Sequence, residues 1–168
     1  MPVQIKAFAR QSEAVAAYEN RDCDALTEDL SKFPSLRAGL KDPAEHMQLA
    51  PLLAVFPRGP VVRLGDETWR AIAQWTLQTM LAAEEAGLSR SSPGKSDQTG
   101  STRLLEVGSE LGLQLGLSPG WAAAIIAKVG NYGEVFARDL GPGSHVGLDR
   151  GLNNLWSAGG LMVTSGSW

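Results

Sequence analysis

A proline-rich segment after the first fifty residues is the feature that most restricts what this chain can fold into. Residues 50–60 contain Pro51, Pro57 and Pro60. A proline inside a helix costs about 3 kcal/mol, and it also disfavours helical geometry in the residue before it. The segment therefore predicts an extended crossing between an α/β unit, residues 1–50, and a mainly helical remainder. An ordinary proline-rich connector is the alternative interpretation.

The first fifty residues alternate between strand patterns and helix patterns. Strands are predicted at residues 3–7, 23–27 and 47–49, where apolar and polar residues alternate or a short apolar pair occurs. Helices are predicted over residues 12–20 and about 30–40, at helical spacing of the apolar residues. Strand–helix–strand–helix–strand is the βαβ pattern of a parallel sheet, so an α/β fold class is expected.

The segment after the crossing predicts a short strand and then a long helix, together residues 61–88. Asp66 is a good N-cap, and apolar residues follow it at three- and four-residue steps from Trp69 onward. Gly87 followed by Leu88 is typical of a Schellman ending. A face of this kind packs against a core far more often than against a ligand.

The C-terminal part of the chain predicts a polar loop followed by helices. The loop covers residues 89–101, and the helical extension covers residues 102–168. Within the extension, helices are predicted at residues 104–115, at residues 118–136 without a break at the glycines, and around residues 148–156. The tail after them is compatible with a short strand or with no regular structure.

Composition and the few reactive side chains exclude several functions. The formal net charge of −3 gives no electrostatic reason to expect nucleic acid. No apolar run is long enough to cross a bilayer. Cys23, His46 and His145 form neither a nucleophile–base pattern nor a metal-ligand spacing. The sequence therefore predicts no catalytic residue, no cofactor and no metal, and the chain is not expected to be an enzyme.

Asp29 is the candidate ligand-binding residue. It follows the predicted strand at residues 23–27 and precedes a predicted helix. In parallel α/β sheets, ligands bind outside the carboxyl ends of the strands, and Asp29 occupies such a position. The alternative is that Asp29 only caps the next helix, which Asp does well.

Three stretches of the sequence carry a family resemblance: "YENRDCDALTEDLSKFPSLRAGL", "GPVVRLGDETWRAIAQWTLQTMLAAEEAGL" and "VGNYGEVFARDLGPGSHVGLDRGLNNLWSAGGL". They resemble periplasmic amino-acid-binding proteins of ABC importers, in particular the general L-amino-acid-binding branch. The resemblance implies a type II Venus-flytrap fold of which this chain is a part: a βαβαβ half-lobe, a proline-rich interlobe crossing and a C-terminal helical extension. It also implies that the chain begins inside the second lobe and lacks the N-terminal half.

The resemblance assigns a place in the receptor to each part of the chain. Residues 1–50 would form the C-terminal half of the second lobe, residues 51–60 the interlobe crossing, and residues 61–88 the return to the first lobe. Asp29 matches the position whose carboxylate holds the α-ammonium of the ligand. The Arg and the Ser/Gly/Thr-rich turn that hold the ligand carboxylate belong to segments that precede this chain.

The implied function is that of a substrate-binding component, or a piece of one, that binds free L-amino acids and delivers them to ABC transporter membrane subunits. A periplasmic location is implied; residues 1–10 lack the apolar core of a secretory signal, so a chain whose true start is Met1 would stay cytoplasmic. The alternatives are a non-binding remnant that self-associates and, as a lesser one, an enzyme on the same scaffold. Because the missing half leaves Trp69 and residues 3–7 without neighbours, a homodimer is expected, with exchange of the segment beyond the crossing as one route. A rearranged compact monomer is the competing outcome.

Overall fold

A computed structural model describes residues 3–50, 53–94 and 99–165. Parts of three sequence predictions lie outside the described residues: Pro51 in the crossing, residues 95–98 in the polar loop and residues 166–168 in the tail. The chain divides into two units, Met1–Val55 and Phe56–Trp168.

In the residues that the structure describes, the first unit contains two α-helices and two 3-10 turns. Helix α1 spans Gln11–Glu19 and helix α2 spans Phe33–Gly39. One 3-10 turn, Leu30–Lys32, leads directly into α2, and the other, Pro43–Glu45, follows it. The predicted helix over residues 30–40 is therefore present as a 3-10 turn continued by an α-helix. The change falls at Phe33-Pro34, where a proline, which has no amide N–H, occupies the first helical turn.

The segments predicted as strands carry no sheet ladder in the described chain. Residues 3–7, 23–27 and 47–49 have no regular secondary structure, and the same holds for residues 61–62. Isolated bridges among the described residues join Ser89 to Ser92 and Leu155 to Met162, both in the second unit. A strand is stabilised by hydrogen bonds to a neighbouring strand, and no described residue supplies that neighbour to these segments.

The contacts of the first unit nevertheless agree with a βαβαβ unit, in which the parallel strands finish at the same side. The Gln11 side chain at the start of α1 donates a hydrogen bond to Glu28, so the ends of the first two predicted strands lie together. At the far end of α1, the Tyr18 hydroxyl lies 2.8 Å from Nδ1 of His46, which precedes the third predicted strand. There too, the Lys41 amide after α2 donates to Glu19 at 3.1 Å. The first two predicted strands thus finish near the start of α1, and the third begins near its end.

Helix α3, Glu67–Glu85, is the longest helix of the described residues and begins and ends as predicted. The Asp66 side chain accepts a hydrogen bond from the Trp69 amide at 2.9 Å, which confirms the N-cap. At the other end Gly87 has a φ of +68°, and the Leu88 amide donates to the Ala83 carbonyl at 2.8 Å. This is a Schellman ending, and it places the Leu88 side chain in the core, where it is fully buried.

Helix α4, Thr99–Gln114, packs closely against helix α5, Trp121–Val129, through two glycines. A Cβ atom on Gly108 would lie 2.9 Å from the Ala122 Cβ, and one on Gly112 would lie 2.2 Å from Cδ1 of Trp121. The indole Nε1 of Trp121 donates a hydrogen bond to the Gly108 carbonyl at 2.5 Å. The glycines therefore provide the space that the buried indole occupies.

The predicted continuous helix over residues 118–136 is wrong, because Gly130 divides it. Gly130 has φ +93° and ψ −175°, which ends α5. Helix α6, Tyr132–Asp139, then starts afresh with a capping box: the Asn131 side chain accepts from the Glu134 amide, and the Glu134 side chain accepts from the Asn131 amide. The start is also later than predicted, since Ser118-Pro119 forms a turn before α5 rather than its first residues.

The predicted helix around residues 148–156 is also wrong. That region forms two 3-10 turns, Gly151–Asn153 and Trp156–Ala158. The cause is the tail, which folds back: the Leu161 amide donates to Leu152 and the Trp156 amide donates to Met162. These bonds occupy a carbonyl and an amide that a continuous helix would need for its own ladder.

The core of the second unit lies where α3, α4 and α5 meet. It consists of small residues at the end of α3 and larger aliphatic residues from α4, α5 and the turn after α3: Ala82, Ala83, Ala86, Leu88, Leu104 and Ile126. Small residues on α3 let the neighbouring helices approach closely, and the aliphatic residues fill the remaining space.

Candidate ligand-binding site

Asp29 lies at the end of the second predicted strand and caps the 3-10 turn that follows it. Its Oδ1 accepts hydrogen bonds from the Ser31 amide at 3.2 Å and from the Ser31 hydroxyl at 2.9 Å. The backbone of Asp29 is extended, with φ −62° and ψ 131°. The capping role is therefore confirmed, and ligand binding by the same carboxylate stays a prediction.

Glu28 is a second carboxylate at this position, which the sequence interpretation missed. Its Oε1 accepts a hydrogen bond from the Asp29 amide at 2.8 Å and lies 3.4 Å from Nζ of Lys32. Its other oxygen accepts from the Gln11 side chain. The Glu28 side chain is largely shielded, whereas that of Lys32 is exposed. Glu28 thus joins α1, the second predicted strand and the turn before α2 at one place.

A sequence signal for Glu28 did exist, in the adjacent acidic pair Glu28-Asp29 at the end of a predicted strand. The sequence interpretation ended the strand at residue 27 and gave Glu28 no role. Gln11 carries no local signal, because its contact with Glu28 spans seventeen residues of sequence.

The chemistry of this cluster favours a cation. Glu28 pairs with the exposed ammonium of Lys32, and Asp29 places a second carboxylate next to it in the sequence. Hydrogen bonds between a carboxylate and an ammonium are charge-assisted and roughly twice as strong as neutral ones. Among the described residues, no group of three His, Cys, Asp or Glu side chains is arranged to hold a metal ion. Carboxylates at this position can accept hydrogen bonds of this kind from an organic ammonium.

The other residues considered from the sequence take no part in this cluster. Cys23 is half-buried and forms no disulfide. His46 pairs with Tyr18. The Arg37 guanidinium donates to the Pro43 carbonyl at 2.7 Å, which holds the turn after α2.

A second polar cluster, in the Phe56–Trp168 unit, was also missed. Arg150 donates to both carboxylate oxygens of Glu84 on α3 and to the Asn153 carbonyl at 2.9 Å. Its guanidinium lies 5.4 Å from the ring centre of Tyr132 and 5.8 Å from that of Phe136. The Arg150 and Glu84 side chains are only 19% and 17% exposed. These contacts all lie within the Phe56–Trp168 unit, so the cluster attaches the C-terminal turns to α3 and α6.

Tyr132 is the ionisable group most affected by that cluster. Burial raises the pKa of the Tyr132 hydroxyl above its ordinary value of 10.0, and the Glu84 charge acts in the same direction. The nearby Arg150 charge opposes the shift without cancelling it. The phenol is therefore held in its neutral form.

An open pocket beside this cluster is lined by Glu85, Trp156 and Thr164, among others. Both oxygens of Glu85 are engaged: Oε1 accepts from Nε1 of Trp156 at 3.2 Å, and Oε2 accepts from the Thr164 hydroxyl at 2.7 Å. The pocket thus holds a side chain that already has its hydrogen-bond partners.

Comparison with known proteins shows that the chain is similar to periplasmic amino-acid-binding proteins. It is 41% identical over 159 residues to the general L-amino acid-binding periplasmic protein AapJ of Rhizobium johnstonii, a match that covers 92% of this chain and 47% of the relative. It is 40% identical to the putative amino-acid ABC transporter-binding protein YhdW of Escherichia coli, with 92% and 46% covered. It is 36% identical to the glutamate/glutamine/aspartate/asparagine-binding protein BztA of Rhodobacter capsulatus, with 96% and 48% covered.

A solved structure gives the same result for the backbone. An ABC transporter periplasmic binding protein from Brucella ovis, solved with glutathione bound, is 39% identical to this chain and superposes with a TM-score of 0.74. The match covers 92% of this chain and 50% of that one. No protein-family model matches the chain.

Over nearly all of its length, the chain is therefore a homologue of the periplasmic amino-acid-binding proteins of ABC transporters, and it has a partial periplasmic-binding-protein-like α/β fold. It spans about half the length of the curated relatives it matches. In residues 3–50, 53–94 and 99–165, no helix combines the length and the apolar character needed to cross a bilayer.

Proposed function

We propose that the chain contributes one half of the ligand-binding site of an amino-acid receptor that serves an ABC transporter. The observation that carries this proposal is the acidic cluster of Asp29 and Glu28 at the end of the second predicted strand. The homology supports it, because the relatives carry names of amino-acid-binding proteins. In this role Asp29 binds the α-ammonium of the ligand, and Glu28 holds the Asp29 backbone in place.

The ligand class follows from the head group that such a cluster recognises. A free L-amino acid offers an ammonium beside a carboxylate. Glutathione, which the Brucella ovis structure contains, offers the same pair at its γ-glutamyl end. We infer that the ligand carries a free α-amino-acid head group. Its side chain is recognised by residues beyond the matched half.

The other features of the proposal follow from the relatives. The chain acts as a binding protein rather than an enzyme, in the periplasm, with ABC transporter membrane subunits as partners. A Venus-flytrap closure around the ligand belongs to the same proposal. The self-associating remnant is the second candidate, and its supporting observation is the exposure of apolar residues in the first unit, which include Val3 and Ile5. A homodimer is the assembly expected for that candidate.

Replacement of Asp29 tests the ligand site. The chain is first inserted in place of the matched part of the Rhizobium johnstonii relative, which gives a receptor of full length. Binding of the L-amino acids and of glutathione is then measured by isothermal titration calorimetry. Because a hydrogen bond to a charged group contributes about 1.5–3 kcal/mol, Asp29→Asn is expected to weaken affinity by about one to two orders of magnitude.

Asp66→Asn is the matched control, since Asp66 is also an N-cap carboxylate and lies in the other unit. It is expected to leave affinity within about twofold, because Asn caps a helix about as well as Asp. If Asp29→Asn binds as tightly as the parent receptor, Asp29 is only a cap. A receptor that binds none of these compounds favours the self-associating remnant.

A further inference from the structure

Two segments of the first unit, residues 3–8 and residues 47–49, form what we call the open edges. They run without a bend or turn, and no backbone hydrogen bond joins them to another described residue. On the first edge Val3 is 85% and Ile5 is 89% exposed, and on the second edge Met47 is 75% and Leu49 is 67% exposed. Large apolar side chains thus lie in water at every second position.

The first open edge already has the alternation of a strand. The Lys6 ammonium lies 5.5 Å from the ring centre of Phe8, so these two residues share one side of the segment. Side chains two residues apart share a face only when the chain is extended. Val3 and Ile5 are offset from Lys6 by odd numbers of residues, which assigns them to the opposite face. An unpaired strand with one apolar face is a template for another strand.

We propose that the open edges bind the polypeptide equivalent to the half of the relatives that this sequence does not match, and that the two halves form the receptor when they are supplied as separate chains. This inference rests on the proposed function. We choose this partner because the chain superposes on only half of a periplasmic binding protein, with a TM-score of 0.74. A sheet in such an α/β fold is covered on both faces, so the other half supplies the missing strands and helices.

A second copy of this chain is the alternative occupant of the open edges. The mass of the purified product distinguishes that homodimer from a complex of the two different polypeptides.

The test is fragment complementation. The 168-residue chain and the unmatched half of the Rhizobium johnstonii relative are co-expressed with a tag on the latter, so that both can fold together. The mass of the purified product is measured by size-exclusion chromatography with light scattering. The expected result is a complex with one copy of each polypeptide.

Charged substitutions on one open edge locate the interface. Val3→Lys and Ile5→Lys are each expected to reduce recovery of the complex at least tenfold, because they place a charge on the apolar face. Leu113→Lys is the matched control: Leu113 is also exposed and apolar, but it lies on helix α4, and its substitution is expected to leave recovery unchanged. Circular dichroism of each variant alone checks that its helix content is retained.

Three results overturn the inference: a tagged fragment that is recovered without this chain, a homodimer of this chain that persists in the presence of the fragment, and a complex that is indifferent to both edge substitutions. The proposed function fails separately. A one-to-one complex that binds neither amino acids nor glutathione supports the open edges and refutes the ligand assignment. If the two separate polypeptides do not form a complex but the full-length receptor binds these ligands, the ligand assignment is supported and the open edges are refuted.

Discussion

The close contact of α4 with α5 predicts that Gly112→Ala destabilises the second unit. In an isolated helix this substitution is favourable by up to about 1 kcal/mol, because alanine has the higher helix propensity. Here the added methyl group would lie 2.2 Å from Cδ1 and 2.5 Å from Nε1 of Trp121. That is about 1.2 Å short of an ordinary van der Waals contact, and packed interiors do not absorb such a displacement freely.

The expected loss of stability follows from the contacts that Trp121 would lose. The indole is 6% exposed and is held by its hydrogen bond to the Gly108 carbonyl. Overpacking of a filled core costs about 1–3 kcal/mol, and loss of the hydrogen bond adds about 1 kcal/mol. After the gain in helix propensity is subtracted, the free energy of unfolding should fall by about 2 kcal/mol. For a unit of this size that corresponds to a melting temperature lower by about 8 °C.

Urea denaturation followed by circular dichroism measures this change. Gly120→Ala is the control, since no atom lies within 4 Å of the added Cβ and Gly120 immediately precedes α5. Gly108→Ala should fall between the two, because its contact with the Ala122 Cβ is 2.9 Å. A Gly112→Ala protein as stable as the Gly120→Ala protein would show that the indole does not occupy the space beside Gly112, and would refute the reasoning.

Two further predictions concern the Arg150 cluster. Glu84→Gln leaves a shielded guanidinium without its charged partner and should lower the free energy of unfolding by about 2 kcal/mol. Glu67→Gln is the control on the same helix: its pair with Arg70 is exposed, so the free energy of unfolding should change by less than about 0.5 kcal/mol. Equal effects of the two substitutions in urea denaturation would contradict the assigned burial. Because the pKa of Tyr132 is raised in the folded state, its contribution to stability is complete below about pH 10 and is lost as the pH rises through the folded-state pKa. Urea midpoints measured from about pH 9 to about pH 12 should therefore decline less steeply for Tyr132→Phe than for the parent, and parallel curves would refute the assignment.

The elements that the sequence predicted correctly are those with local causes. The cap at Asp66 and the Schellman ending at Gly87 depend on residues within one turn of each other, so their signals are complete in the sequence. The family resemblance added the class of protein, through stretches whose likeness the comparisons confirm.

The wrong predictions share a different cause, which is competition from distant or stereochemically special residues. The helix around residues 148–156 fails because the tail takes up its hydrogen-bonding groups. The helix through Gly130 fails because only a positive φ lets the chain turn there before the Asn131 cap. Within the site, Asp29 was identified from its position, whereas Glu28 required the contact with Gln11, which no periodicity reveals. Strand patterns were recognised, but pairing needs a neighbour that no pattern within the segment supplies.

The break at Gly130 has a consequence for the order in which the second unit folds. Helix α6 has eight residues, and a helix that short does not persist alone in water. Its cap residue also donates a side-chain hydrogen bond to the Leu88 carbonyl at 2.7 Å, forty-three residues earlier in the chain. We therefore expect α6 to form only when the end of α3 is in place, rather than as an extension of α5. Gly130 thus makes the stability of α6 depend on a contact that is distant in the sequence.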